Sequence, residues 1–334
     1  PGAFAGILLC GAGLAQNLIP RDLGETYIIG LIGASDGNYL EMIDLNHELE
    51  RGKMGHRLMV FSGHHSWPPS EVCNRAFQWL EFKAVQDGLS LRAPAFTAEV
   101  LTREQEWGDA LEKTEAFPHA HLHYSEMVPF LERAGLAGPF TRKLQTLDTD
   151  KKIRNQLKRE EALITRERRM VEQIRLIFQR IESGDDSFRL PEKIALEIGI
   201  PTLQKNLRKT GDSALGESSQ RVLAGICLDA SFLAERHLEK KAYREAILYY
   251  SLGARAAGSN LRMRSRFLFS LACVQSISED RKSAFRSLRE AVTLGFNDRE
   301  ALERHPLLES IRTAPEFLRI LESIRKEESA PEKK

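Results

Sequence analysis

Apolar and polar residues alternate along this chain in two distinct ways. Over residues 1–85, short apolar runs end in glycine and are separated by helical stretches. Phe4 to Cys10 ends at Gly11-Ala12-Gly13, Tyr27 to Ile32 ends at Gly33, and Arg57 to Phe61 ends at Ser62-Gly63. Runs of that length, apolar throughout, predict parallel strands covered on both faces. A helix is expected from Tyr39 to Arg51, with Tyr39, Met42, Ile43 and Leu49 to one side and Gly52 as its stop. Another is expected from Pro69-Ser70 to about Val85, with Val72, Ala76, Trp79 and Leu80 inward. The fold class predicted for this part is α/β, a partial sheet of about three parallel strands. Doubly wound sheets usually have more, and such a sheet leaves an edge open for pairing. An upstream segment, or another chain, is expected to complete it.

From residue 97 onward no strand is predicted. Residues 89–96, with Pro94 and small polar residues, read as a linker after a first domain of 1–88. The region 97–215 reads as helical over 97–114, 124–134 and about 150–181. The last of these is charged, with Leu157, Ile164, Val171 and Phe178 at seven-residue intervals, the mark of a helix packed along one seam. Residues 219–322 contain a repeat. Leu233, Ala234 and Ala246 recur as Leu271, Ala272 and Ala284, each 38 residues on. An alanine in each helix of a pair is where two helices approach closely. The segment, through its terminal helical cap, resembles the tetratricopeptide repeat, which implies stacked antiparallel hairpins and a surface for a protein or peptide partner. Residues 323–334 read as a disordered tail.

Composition narrows the classes. Of 334 residues 42% are hydrophobic and 28% charged, with a formal net charge of +1. That balance gives no field for nucleic acid. The four cysteines are far apart and form no C-x-x-C, so free thiols are expected rather than disulfides or zinc. No apolar run reaches membrane-spanning length. A water-soluble protein is expected, cytoplasmic, or periplasmic or secreted if a leader precedes Pro1.

Candidate chemistry concentrates at the ends of the strands. Gly33-Ala34-Ser35-Asp36-Gly37 matches G-x-S-x-G, which nominates Ser35 as a nucleophile. Against it, Asp36 would place a charge beside a developing oxyanion, and one strand alone follows. Asp36 and His65 each follow a strand, at the carboxyl edge where open α/β sheets carry their sites. An aspartate that orients a histidine suits general-base catalysis; a solvated aspartate and a loop histidine is the plain alternative. His119, His121 and His123 form H-x-H-x-H, which on a strand would share one face. A surface or packing role is expected for them, and no metal.

"GASDGNYLEM" and "VFSGHHSWPPSEVCNRAFQWLE" resemble the acid and histidine loops of bacterial α/β-hydrolases of the esterase, dienelactone-hydrolase-like and phospholipase/carboxylesterase group. The resemblance covers about residues 1–85. It implies a serine hydrolase acting on a small-molecule ester, with Asp36 as triad acid and His65, two residues before Trp67-Pro68-Pro69, as base. Trp67 and Pro68 would wall the substrate pocket, and Gly11 and Gly13 would sit near the cleft. The serine and the oxyanion donors would come from upstream, and no cofactor is implied. The alternative function is a non-catalytic module in which the helical repeats bind a partner and the α/β part is a platform.

Overall fold

The structure, a computed structural model, describes residues 6–14, 26–92, 94–185, 187–209 and 213–328. Residues 4 and 5 of the expected first strand, and 329–334 of the expected tail, lie outside the described residues. The chain divides into two compact units, Pro1–Arg168 with Asp212–Arg221, and Arg169–Gly211 with Val222–Lys334. In chain order the elements are β1 (Gly6–Cys10), β2 (Tyr27–Gly33), α1 (Tyr39–Arg51), β3 (His56–Phe61), α2 (Ser70–Gln86), α3 (Pro94–Lys113), α4 (Phe117–Glu132), α5 (Gly138–Thr149) and α6 (Lys151–Glu182). There follow α7 (Pro191–Glu197), α8 (Ile200–Leu207), α9 (Ser213–Glu239), α10 (Tyr243–Ala257), α11 (Leu261–Ile277), α12 (Arg281–Thr293), α13 (Arg299–Arg304), a 3-10 turn (Pro306–Ile311) and α14 (Pro315–Glu328).

The described sheet of the first unit is three-stranded and parallel, in the order β1-β2-β3. Gly6 pairs with Tyr27 at one edge, and Gly33 pairs with Phe61 at the other. Every residue of β2 is buried, because both faces are covered. Tyr27, Ile29 and Leu31 pack with Trp79 and Phe82 of α2 and with Tyr124, Met127 and Leu131 of α4. On the other face, Ile32 joins Tyr39 and Met42, and Ile28 joins Leu45 and Leu49, all of α1. Alternate residues of one strand therefore serve two cores, the period-2 rule. Helix α3 begins at Pro94, inside the stretch expected as linker, and α4 belongs to the same core as the strands.

The described residues of the second unit form one apolar cluster, running from Ile174 to Ile324. The four alanines of the sequence repeat, Ala234, Ala246, Ala272 and Ala284, are each fully buried. Short connections join α10, α11 and α12, and each packs on the next. The starts of α11, α12 and α13 are capped by side chains. Asn260 accepts from the Met263 amide at 3.1 Å, Asp280 from Ser283 at 3.1 Å and Asp298 from Ala301 at 2.8 Å.

Candidate active site

The loops that leave β2 and β3 are drawn together by backbone bonds that continue the sheet. The Ala34 amide donates to the Phe61 carbonyl at 2.8 Å, and the Ser35 amide to the Gly63 carbonyl at 2.8 Å. The approach depends on Gly33, since a Cβ there would lie 2.6 Å from the Gly63 oxygen and 3.0 Å from that of His64. Beyond this crossing the chain turns, with the Asp36 amide donating to Gly33 at 3.0 Å, before α1 begins.

That turn buries the Asp36 carboxylate and brings it to His65. Nδ1 of His65 lies 3.1 Å from Oδ1 and 3.2 Å from Oδ2 of Asp36. The Asn38 amide donates to the same Oδ1 at 2.9 Å. Side-chain exposure is 1% for Asp36 and 69% for His65. A carboxylate can only accept, so Nδ1 carries a proton, and in the neutral ring Nε2 is the atom with the lone pair. Among the described residues, Nε2 has no hydrogen-bond partner. An exposed neutral imidazole backed by a buried acceptor is competent to take a proton at Nε2.

The end of β1 closes over this pair. The Gly11 amide donates to Leu31 at 2.9 Å, and its carbonyl accepts from the Asn38 side chain at 2.7 Å. Its φ of +66° and the site both call for glycine. A Cβ there would sit 3.3 Å from Asp36 Oδ2 and 3.5 Å from the His65 ring. Gly13 lies instead over α1, where its amide donates to Glu41 at 3.1 Å. Pro68 is buried, whereas Trp67 is 85% exposed. Ser35 sits next to the acid, and no bond joins its hydroxyl to His65. The structure thus brings Gly11, Asp36 and His65 together, while Gly13 meets Glu41 and Trp67 is exposed.

Two buried charged residues beside this loop escaped the sequence reading. Arg221 is buried, and its Nη1 donates to the carbonyl of Ala34, two residues before the acid, at 2.5 Å. Its guanidinium grips Glu167 in a fork of 2.8 and 2.5 Å and stacks 4.3 Å from the Tyr39 ring centroid. Burial opposes the charge on Arg221, but Glu167 outweighs it and holds its pKa above the ordinary value. A fixed guanidinium on that carbonyl pins the start of the acid loop. A hint lay in Glu167, a charge three residues after Ile164 on the apolar side of the long helix.

The histidine triplet lies on a helix, not a strand. In α4 the buried positions Ala120, Tyr124, Met127, Val128 and Leu131 follow helical spacing. His121 therefore diverges from its two neighbours and bonds Asp148 at 3.0 Å. Burial, with Arg221 nearby, pushes His119 down to about 4, and burial holds His123 well below its ordinary value. Among the described residues no group of three or more His, Cys, Asp or Glu side chains is placed to hold a metal ion, and the four cysteines are free. No described helix is long and apolar enough to cross a membrane.

No protein-family model, curated protein or solved structure matches this chain.

Proposed function

We propose that His65 and Asp36 are the base and the acid of a serine-hydrolase-type triad that cleaves an ester or related acyl bond. The observation that carries this reading is the buried carboxylate behind Nδ1 of an exposed imidazole whose Nε2 is free. The nucleophilic hydroxyl belongs to a segment not among the described residues, either upstream in the same chain or in another polypeptide. His65 Nε2 takes its proton as the oxygen attacks the acyl carbon. The imidazolium, held by Asp36, returns that proton to the departing alkoxide and leaves an acyl-enzyme. Water then repeats the two transfers, and acid and free nucleophile result. Gly11 keeps side-chain bulk away from the pair. No cofactor takes part in this scheme.

The test uses the protein as isolated from its own cells, any tightly held chain included, assayed on short- and medium-chain nitrophenyl esters. His65→Ala is expected to lower kcat/KM by ~10³-fold or more, and Asp36→Asn by a comparable factor. Ser35→Ala is expected to leave the rate within twofold, about the limit of such an assay. Near-normal hydrolysis by His65→Ala would sink the proposal, as would a folded native form that cleaves no ester.

A second reading has its own support. Leu228 and Phe232 stand one turn apart on α9, 68% and 64% exposed, beside helices whose sequence repeat resembles the tetratricopeptide type. An apolar pair of that kind suits a protein or peptide partner, with the α/β unit as platform. Inactivity of the native form, with its fold intact, would favour it.

A further inference from the structure

Away from His65, the first unit buries a second polar cluster, between β3 and helices α2, α3 and α4. Arg57 and Arg75 share a single carboxylate, Glu104. Arg57 Nη2 lies 2.5 Å from Glu104 Oε2, while Arg75 approaches both oxygens at 2.8–3.1 Å. Side-chain exposure is 2%, 9% and 2% respectively. His123 completes the group. Its Nε2 meets the Glu104 carbonyl at 3.0 Å, so Nε2 carries the proton. Nδ1 then accepts from Arg57 at 3.0 Å and Arg75 at 3.3 Å. Burial keeps this ring neutral.

The charges in this cluster do not cancel. Two guanidiniums face one carboxylate and one neutral imidazole. Burial, Arg57 beside it included, pushes Arg75 down to about 10. Of the other carboxyls in their field, Glu71 is exposed, and burial pushes Glu126 up to about 7, so it is only partly ionised near neutrality. An uncompensated charge in a protein interior is costly. The donors do not all find partners either: Nη1 of Arg57 and Nη1 of Arg75 are buried with none among the described residues. Both side chains line one cavity, with Trp107, His119 and His123. It measures ≈ 10 Å³, counted as space open to the centre of a water-sized sphere. That is room for one small occupant.

We propose that this cavity binds a single monovalent anion of chloride size, held by Arg57 and Arg75. A water could accept from the two free donors but would leave the surplus charge in place. A carboxylate or phosphate is too large for the space. An ion there would neutralise the cluster and tie β3 to α2 through both guanidiniums.

Two measurements on the full chain test this. Trp67, Trp79 and Trp107 all belong to the first unit, so tryptophan fluorescence follows its unfolding. Tm is expected to be about 2–4 °C higher in sodium chloride than in sodium gluconate of equal ionic strength, saturating with chloride. Arg75→Met is expected to abolish that difference. Should Arg75→Met fail to fold, crystals of the unaltered protein grown in bromide decide the matter. An anomalous peak touching both guanidiniums, together with the chloride-dependent Tm, sustains the proposal. Equal Tm in the two salts overturns it, because a peak without stabilisation means binding at crystal concentration only. A cavity holding water in bromide also overturns it.

Discussion

The two units bury different chemistry. In the first, Asp36, Arg57, Arg75, Glu104, Glu167 and Arg221 are all buried charged residues, and His123 lies among them. Among the described residues of the second, the buried polar ones are Asn206, Ser265, Gln275, Ser276 and Ser287, none of them ionisable. Each unit has a large apolar core, so the difference does not reflect a shortage of apolar side chains. Buried ion pairs add little net stability over well-packed apolar residues, yet breaking one is expensive. What they supply is position. Arg221 fixes the carbonyl of Ala34, and Arg57 anchors β3 under α3. The charged unit is the one that holds two strand-end loops in register around the Asp36–His65 pair. The helical unit needs only volume to match, and alanine meets that need.

The largest effect that could break this contrast lies at Glu104. Glu104→Gln leaves two buried guanidiniums without their shared counter-charge. It is expected to cost about 3–5 kcal/mol, seen as an early tryptophan-monitored unfolding transition. A loss below about 1 kcal/mol would mean that water or rearrangement already screens the cluster, and that the charge is incidental to the unit. Burial alone would raise the pKa of Glu104, but the two guanidiniums prevail and hold it below the ordinary carboxylate range. Its contribution is therefore present above the ordinary carboxylate pKa and lost only in strong acid.

Glu126 sharpens the contrast through pH. Burial raises its pKa from 4.5 to about 7, although the Leu58 amide at 2.9 Å favours the charged form. Its other oxygen is buried and has no hydrogen-bond partner among the described residues. A carboxyl whose folded pKa is raised stabilises fully below its unfolded value, and that contribution is lost as the pH climbs to about 7. Glu126→Gln is expected to gain on the order of 3 kcal/mol over the unaltered protein between pH 4.5 and pH 8. The comparison must be variant against parent at each pH. His119 and His123, both pushed down by burial, add the opposite slope: folding gains as the pH rises towards 6.5. A constant difference across this range would show that Glu126 stays solvated.

How much of this could be read from the sequence follows from the range of each interaction. Glycine-terminated apolar runs located β2 and β3, and parallel pairing then made their loops neighbours. The 3.1 Å contact of His65 with Asp36 agrees with that expectation. The histidine triplet misled because three alternating residues look extended, while the helical signal needs the longer window from Ala120 to Leu131. The seven-residue seam of α6 holds in part. Phe178 is buried, but Val171 is 45% exposed. The buried arginine contacts were barely legible, the one hint being Glu167 on the apolar side of α6. Glu104 meets Arg57 across 47 positions, and Arg221 meets Ala34 across 187. Nothing local distinguishes a buried arginine from a solvated one until the fold has chosen its neighbours.

The smallest expected effect belongs to the helical unit, and its sign tests the volume argument. Ala272 is fully buried on α11, at the position that repeats Ala234. Ala272→Leu adds volume where neighbouring helices already touch, so it is expected to cost about 1–3 kcal/mol by overpacking. Ala272→Ser adds one polar atom at almost the same volume. Serine in a helix can bond its own backbone one turn back, so its cost is expected below about 1 kcal/mol. Amide hydrogen exchange across α10, α11 and α12 gives the readout, because the second unit holds no tryptophan. If leucine were tolerated and serine were not, polarity rather than volume would govern this core. The division between a unit held by placed charges and one held by close packing would then fail.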